Sequence, residues 1–115
     1  MDPGDDAVLT NLRRGSLEFC VLAMLTDEEL YGLDIARRLT ADGVLMSSEG
    51  TLYPLLSRLR KAGLVRTTWQ ESAEGPPRRY YSLTQDGRDS LAAFNRTWPL
   101  FRDAVDAALN RGDQP

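Results

Sequence analysis

The sequence predicts a mainly α-helical protein with one small β-hairpin, arranged as a winged helix-turn-helix with a long C-terminal helix. Three observations predict this fold class. Three stretches before residue 64 carry apolar residues at helical spacing. A stretch rich in β-branched and aromatic residues follows, interrupted by Gly and Pro. In the last third of the chain, apolar residues recur at alternating intervals of three and four, which is typical of a coiled-coil seam.

The N-terminus is predicted to be loose, with the first helix after it. Residues 1–12 include acidic residues, Pro and Gly and have little to bury, so they are expected to form a flexible segment. The helical pattern begins at Ser16. Because the chain has only 115 residues, we expect one folded domain over residues 13–84 and a C-terminal helix over residues 85–112. The apolar face of the first helix is formed by Leu17, Cys20, Val21, Met24 and Leu25.

A second helix is predicted over residues 30–42. Either Thr26 or Asp27 is suited to its N-cap. Gly43 is expected to end it, because glycine readily adopts the left-handed conformation that follows many helices. Arg37 and Arg38 would face outward, and the inward side would carry Leu30, Leu33, Ile35, Ala36 and Leu39.

The third helix lies within the stretch GTLYPLLSRLRKAGLV, residues 50–65. Ser47 or Ser48 is suited to cap it, Pro54 must lie near its start, and Gly63 ends it. Its buried stripe is formed by Leu52, Leu55, Leu56 and Leu59. Its outer face lacks the Glu and Lys pairs of a merely solvated helix. That face carries hydroxyls and cations that can donate to phosphates and base edges, namely Thr51, Tyr53, Ser57, Arg58 and Lys61.

A β-hairpin follows the third helix. The first strand is predicted over residues 64–71, with Leu64, Arg66 and Thr68 on one side and Val65, Thr67 and Trp69 on the other. Residues 72–77 form a loop by their Gly and Pro content, and residues 78–84 form the second strand. Gly75, Pro76 and Pro77 would stand at the tip, directly before Arg78 and Arg79. Because the two side chains alternate across the strand, one of these arginines could form an ion pair with Glu71 or Glu74, and at least one is expected to contact a phosphate.

The C-terminal helix is expected to begin after Thr84, which is suited to its N-cap. The narrow apolar seam has no evident partner within so small a domain, so we expect it to join two subunits. Pro99 interrupts the helix and is expected to kink it. The predicted dimer residues are Leu91, Phe94, Trp98, Phe101 and Val105.

Charge is distributed unevenly along the chain. The net charge is −3, yet residues 47–81 carry six basic and three acidic groups, a local net of +3. A phosphate backbone responds to local charge within a Debye length, so the middle third is the expected nucleic-acid surface.

Composition excludes several classes of function. The chain has no His and one Cys, so His-based catalysis, a transition-metal site and an internal disulfide are not expected. We therefore predict no enzyme activity, no metal and no cofactor. The longest apolar run, FCVLAML, is too short to span a bilayer, and the acidic N-terminus lacks signal-peptide features, so a cytoplasmic protein is expected.

Four segments in this order resemble the PadR family of bacterial transcriptional regulators: RGSLEFCVLAML, YGLDIARRL, SSEGTLYPLLSRLRKAGLV and PRRYYSLTQDGR. The resemblance runs from Arg14 to Arg88. The single C-terminal helix resembles the short subfamily, which implies a homodimer joined through that helix. The resemblance further implies a repressor that responds to small aromatic or drug-like ligands. The family often has an aromatic residue after the glycine of YGLDI; here Leu33 stands there, so a backbone contact sometimes assigned to that aromatic does not transfer.

Taken together, residue chemistry and resemblance predict a homodimeric, ligand-responsive regulator that binds double-stranded DNA. The alternative is a winged-helix module that binds proteins and not DNA, with its cations scattered instead of pointing one way. For Tyr53, the alternative to DNA contact is that its ring covers the edge of the core. For Trp98, the alternatives are packing in the dimer interface and stacking on a ligand. An effector is assigned to Trp98 and Phe101 by family analogy. The predicted DNA contacts are Thr51, Tyr53, Pro54, Ser57, Arg58, Lys61, Gly75, Arg78 and Arg79.

Overall fold

Four α-helices and a three-stranded antiparallel sheet make up the described part of the chain, which is residues 3–113 of a computed structural model. In chain order the elements are α1 (Pro3–Met24), β1 (Leu30–Tyr31), α2 (Gly32–Thr40), a 3₁₀ turn (Glu49–Thr51), α3 (Leu52–Lys61), β2 (Val65–Ser72), β3 (Gly75–Leu83) and α4 (Gln85–Asp113). The predicted fold class is confirmed. Among these helices, none combines the length and the hydropathy that a membrane span requires.

α1 begins earlier than the sequence pattern indicated. It starts at Pro3, whereas a loose segment and a helix from Ser16 were expected. Asp5 and Asp6 lie in its first turn, where carboxylates interact favourably with the helix dipole. Residues 3–12 are therefore helical, which corrects the predicted loose segment, and residues 1 and 2 lie outside the described residues.

The second helix is shorter than predicted because its first two residues form a strand. Leu30 and Tyr31 make up β1 and pair with Tyr81 and Tyr80 of β3, giving the sheet order β1-β3-β2. α2 then begins at Gly32 with Tyr31 in the N-cap position, so neither Thr26 nor Asp27 caps it. This pairing gives the backbone of β3 hydrogen-bond partners on both of its edges. The local sequence does not reveal the pairing, because β1 and β3 are far apart in the chain.

The core lies between α1, α2, α3 and the base of the hairpin. The leucine stripe of α3 is buried as predicted, with each of its four side chains at most 6% exposed. Gly63 follows α3 with φ 77°, a conformation that favours glycine and ends the helix as expected. The other fully buried large side chains are Val21, Leu22, Leu25, Ile35, Leu39 and Met46.

The β-hairpin is buried at its base and exposed towards its tip. Opposite pairs Val65–Leu83, Thr67–Tyr81 and Trp69–Arg79 place these side chains on one face. Val65, Tyr81 and Leu83 are buried, while Trp69 on the same face is 64% exposed. The hairpin thus extends beyond the body of the domain as a wing.

The tip of this wing is shorter than predicted. β3 begins at Gly75, so Gly75, Pro76 and Pro77 belong to a strand, and only Ala73 and Glu74 connect the two strands. Proline is tolerated here because the pairing is irregular between Gln70 and Ser72, and a bulge does not require a ladder N–H from every residue.

α4 begins at the predicted cap. The Thr84 hydroxyl accepts a hydrogen bond from the Gly87 N–H (3.0 Å) and donates one to the Gly63 carbonyl oxygen (2.6 Å). Gly87 is buried, and a Cβ at this position would overlap the Leu64 carbonyl oxygen, so only glycine fits. These contacts fix the start of α4 against the end of α3.

The first part of the predicted seam of α4 packs against the domain of the same subunit. Leu91 is 8% exposed and belongs to the core, and the Phe94 ring stacks on Phe19 of α1 with centroids 4.3 Å apart. The expectation that the entire seam lacks a partner within the subunit is therefore wrong at Leu91 and Phe94. The reason is that α1 runs beside the first part of α4.

Candidate functional site

The outer face of α3 carries two rows of predicted contact residues. At about 100° per residue, Tyr53, Ser57 and Lys61 form one row, and Pro54 and Arg58 form a second. All except the half-buried Ser57 are exposed. Thr51, in the turn that precedes α3, is also exposed, and its hydroxyl donates to the Ser48 carbonyl oxygen at 3.2 Å. Neither Ser48 nor Thr51 makes a side-chain cap to its helix.

From the first row, Tyr53 alone lines a cleft of about 500 Å³ between the start of α3 and the wing. Tyr53 lies on one side of this cleft, and Gly75, Arg78 and Arg79 lie on the other. Three further aromatic side chains, Tyr31, Trp69 and Tyr81, line it as well. We call this space the wing cleft. It brings together four of the nine predicted DNA contacts.

Tyr53 combines the two roles that the sequence left open. Its ring lies against the backbone of Gly32 at the edge of the core, where a Cβ would sit 3.5 Å from Cε1, yet 48% of the residue is exposed. Burial of the ring, with the Glu49 carboxylate as a further cause, raises the pKa of the Tyr53 hydroxyl. The shift favours the protonated hydroxyl, which can donate a hydrogen bond to an anion.

The second row faces another cleft, of about 380 Å³, between α3 and α1. Thr51, Pro54 and Arg58 line it, together with Arg14 of α1. Sequence reasoning missed Arg14 because residue spacing within α1 does not indicate which side chain lies near α3. Lys61 lines neither cleft and remains on the exposed outer face.

The two wing arginines are held by aromatic rings. The Arg78 guanidinium lies over the Tyr31 ring at 4.9 Å, and that of Arg79 lies over the Trp69 ring at 4.9 Å. Within residues 3–113, the ion pairs are Arg38–Glu28 and Arg102–Asp103, so neither wing arginine pairs with Glu71 or Glu74. Their positive charges are thus available to an external anion.

The exposed part of the C-terminal seam begins at Trp98. Trp98, Phe101 and Val105 are 42%, 62% and 39% exposed. The Phe94 ring stacks on the Trp98 ring (5.8 Å between centroids), which in turn contacts Phe101 (6.5 Å). The helix continues through Pro99. A stripe of exposed apolar side chains on one helix face is typical of an association surface.

The described residues include carboxylates and the single thiol of the chain, Cys20, but no histidine. Among them, no group of three or more His, Cys, Asp or Glu side chains is placed to hold a metal ion. Burial raises the pKa of the Cys20 thiol, which therefore remains protonated and is a poor nucleophile.

Comparison with known proteins identifies a family match and structures of the same fold. Residues 21–93 match the model of the transcriptional regulator PadR-like family. A transcriptional regulator of Mycobacterium tuberculosis is 32% identical over 88 residues, covering 76% of this chain and 80% of that protein. The crystal structure of a PadR-like transcriptional regulator from Bacillus cereus is 35% identical, covers 86% of this chain and 96% of that one, and superposes with a TM-score of 0.76.

A more distant structure shares the fold. It is that of Bacillus subtilis PadR in complex with operator DNA, at 22% identity and a TM-score of 0.61, covering 69% of this chain and 46% of that one. At this level of identity the similarity concerns the fold alone.

Proposed function

Because the chain belongs to the PadR-like family of transcriptional regulators, which are not enzymes, we propose that it is a sequence-specific, homodimeric DNA-binding repressor that responds to a small ligand. The observation that carries the proposal is the wing cleft. It sets Tyr53 of α3 opposite Arg78 and Arg79 of the wing, so that hydroxyl and guanidinium donors border one space. Arg78, Arg79 and Glu74 line this space, and their net positive charge favours an anionic partner.

In the proposed complex, α3 enters a major groove and the wing follows the adjacent backbone. An α-helix is about as wide as that groove. Arg58 and Lys61 stand on the outer face of α3 and would reach base edges or phosphates, while Arg78 and Arg79 would meet phosphates. Bacillus subtilis PadR, which shares the fold, was solved in complex with operator DNA, so the fold is compatible with binding a duplex.

A second copy of the chain is the proposed partner of the exposed seam. Trp98, Phe101 and Val105 lie on one face of α4 and lack cover within the described subunit. Two copies that pair through this face about a two-fold axis would bury it and would present two α3 helices to one duplex. We place a small aromatic effector beside Trp98 and Phe101, where it would alter the angle between the subunits. Such a protein acts in the cytoplasm.

The salt dependence of DNA binding tests the proposal. If Arg78 and Arg79 neutralise phosphates, then changing both to Ala should weaken binding to every duplex. The slope of log affinity against log salt should also become shallower, by about three to four for the proposed dimer, because the variant removes two phosphate contacts from each subunit and fewer counterions are released. Binding of a mixed-sequence duplex followed by fluorescence anisotropy across a salt series measures both effects.

Arg37→Ala with Arg38→Ala is the matched control. It removes the same charge from the exposed side of α2 and should leave the slope nearly unchanged. Tight duplex binding that ignores salt would contradict the proposed contacts. Wild-type protein that retains no duplex at low salt would favour the alternative of a protein-binding module.

A further inference from the structure

Each wing arginine of this protein lies over an aromatic ring, at 4.9 Å from the guanidinium carbon to the ring centroid. Within the described residues, no hydrogen bond or ion pair holds the guanidinium of either Arg78 or Arg79. The Nε atom of Arg79 is withdrawn from solvent and has no hydrogen-bond partner. The position of this side chain therefore depends on its contact with the Trp69 ring, 4.9 Å away.

Stacking has a consequence that an ion pair would not have. A guanidinium that lies flat on a ring uses its π face and leaves in-plane N–H groups free to donate to a phosphate. A salt bridge to Glu71 or Glu74 would occupy those same donors and cancel the charge. The rings thus restrict the motion of the arginines without consuming the groups that bind DNA.

The location of Trp69 fits this role better than a role in packing. Trp69 is 64% exposed and lies near the tip, on the hairpin face whose buried part ends at Tyr81. It stands directly opposite Arg79 in the β2–β3 register, where cross-strand side chains are close enough to interact. A Trp at this position adds little to the core.

Tyr31 serves Arg78 from a different part of the domain. Tyr31 lies on β1, opposite Tyr80, and its ring also contacts the Tyr80 ring at 6.0 Å. The Arg78 contact therefore joins the wing to the body of the domain, whereas the Arg79 contact lies wholly within the wing. Each arginine has its own ring, so the two contacts can be separated by mutation.

We propose that Trp69 and Tyr31 are positioning residues for DNA binding: each holds one wing arginine in the orientation in which it meets a phosphate. The inference rests on the proposed function and extends it to two residues outside the predicted DNA contacts. Neither ring needs to touch the duplex. Their contribution is to reduce the freedom that Arg78 and Arg79 lose when DNA binds.

A pair of double-mutant cycles tests the proposal. Affinity for a mixed-sequence duplex at low salt is measured for wild type, Trp69→Ala, Arg79→Ala and the double variant, and again with Arg78→Ala in place of Arg79→Ala. Trp69→Ala alone should weaken binding about two- to fivefold, the size expected of an exposed cation–π contact. That loss should vanish in the Arg79→Ala background and persist in the Arg78→Ala background. Trp69→Phe, which keeps an aromatic face, should retain most of the affinity.

The outcomes separate this inference from the proposed function. Wild-type protein that does not bind the duplex contradicts the proposed function itself. Wild-type protein that binds, with a Trp69→Ala loss that is absent or equally large without Arg79, overturns the positioning role. If Trp69→Ala disturbs the hairpin in circular dichroism, Trp69→Leu, which keeps apolar bulk without a π face, takes its place in the same cycles.

Discussion

The two ends of α4 carry one apolar repeat in different surroundings. At the first end Leu91 is 8% exposed, and Phe94 stacks on Phe19 of α1. At the far end Phe101 is 62% exposed and Leu109 is 63% exposed. A heptad-like spacing therefore identifies which face of a helix is apolar, while the neighbouring elements decide what covers that face.

The change from the covered to the uncovered part of α4 follows a row of four contacting aromatic rings, which we call the ladder. Phe19, Phe94, Trp98 and Phe101 contact one another in sequence, at centroid distances of 4.3, 5.8 and 6.5 Å. Only the first contact joins two helices; the others run along α4 itself. The first half of the ladder thus stabilises the subunit, and the second half lies uncovered within it.

The largest expected effect is on folding, at Leu91. Leu91→Ala should lower the free energy of unfolding by about 2–4 kcal/mol, because it removes buried methyl groups and leaves a cavity in the core. Chemical denaturation at several protein concentrations measures this loss and separates it from subunit dissociation. Leu100→Ala is the matched control at a site that is 73% exposed, and it should change the free energy by less than about 0.5 kcal/mol. Equal losses at the two sites would remove the distinction between the ends of α4.

The next effect is on association, at Phe101. Phe101→Asp should weaken the proposed dimer by about a hundredfold, because a charge would be desolvated in the interface, while the fold of each subunit persists. Sedimentation across a concentration series measures the dissociation constant. Leu100→Asp introduces the same charge on the opposite side of the helix and should leave the dimer intact. A wild-type chain that sediments as a monomer at micromolar concentration would contradict the dimer.

Local signals in the sequence predicted much of the fold. The cap at Thr84, the positive φ of Gly63 and the buried stripe of α3 were predicted correctly. Each of these depends on residues that are neighbours in the chain. The early start of α1 was missed because its first turns do not pack against the core. The apolar side chains of Val8 and Leu12 are exposed there, so this part lacks the wide apolar face that indicates a buried helix.

Features that join distant residues could not be predicted. The pairing of Leu30 with Tyr81, the contact of Phe19 with Phe94 and the ring beneath Arg78 all depend on how elements far apart in the chain are packed. The same limit applies to the candidate site. Most of the predicted residues of α3 and the wing border one of two clefts. The aromatic rings next to the wing arginines, in contrast, carry no signal in residue type or spacing. The assignment of individual residues to DNA contacts remains a prediction.

A smaller effect is expected at Trp98, where the covered and uncovered parts of the ladder meet. If an effector stacks beside Trp98, a planar aromatic compound should quench tryptophan fluorescence and weaken DNA binding about fivefold or more. Trp98→Ala should abolish both responses when they are measured at protein concentrations at which sedimentation shows the variant to be dimeric, because Trp98 also lies in the proposed dimer face. The chain has two tryptophans, so the quenching must also survive in Trp69→Phe. A Trp98→Ala protein that responds as wild type does would assign Trp98 to dimer packing alone.

The smallest effect is expected at Thr84, which fixes the covered end of α4 to the end of α3. Thr84→Ala removes both the acceptor for the Gly87 N–H and the donor to the Gly63 carbonyl oxygen, and should cost about 1 kcal/mol of unfolding free energy. Thr84→Ser keeps the hydroxyl and should lose much less. Thr97→Ala is the contrasting control further along α4. The Thr97 hydroxyl only donates to the Ala93 carbonyl oxygen within its own exposed helix, so its loss should be nearly neutral. Thermal unfolding of the three variants at one protein concentration measures the differences. If Thr97→Ala lowers the free energy of unfolding as much as Thr84→Ala does, then hydroxyl contacts stabilise α4 evenly along its length. The contacts of Thr84 at the start of α4 would then have no special importance.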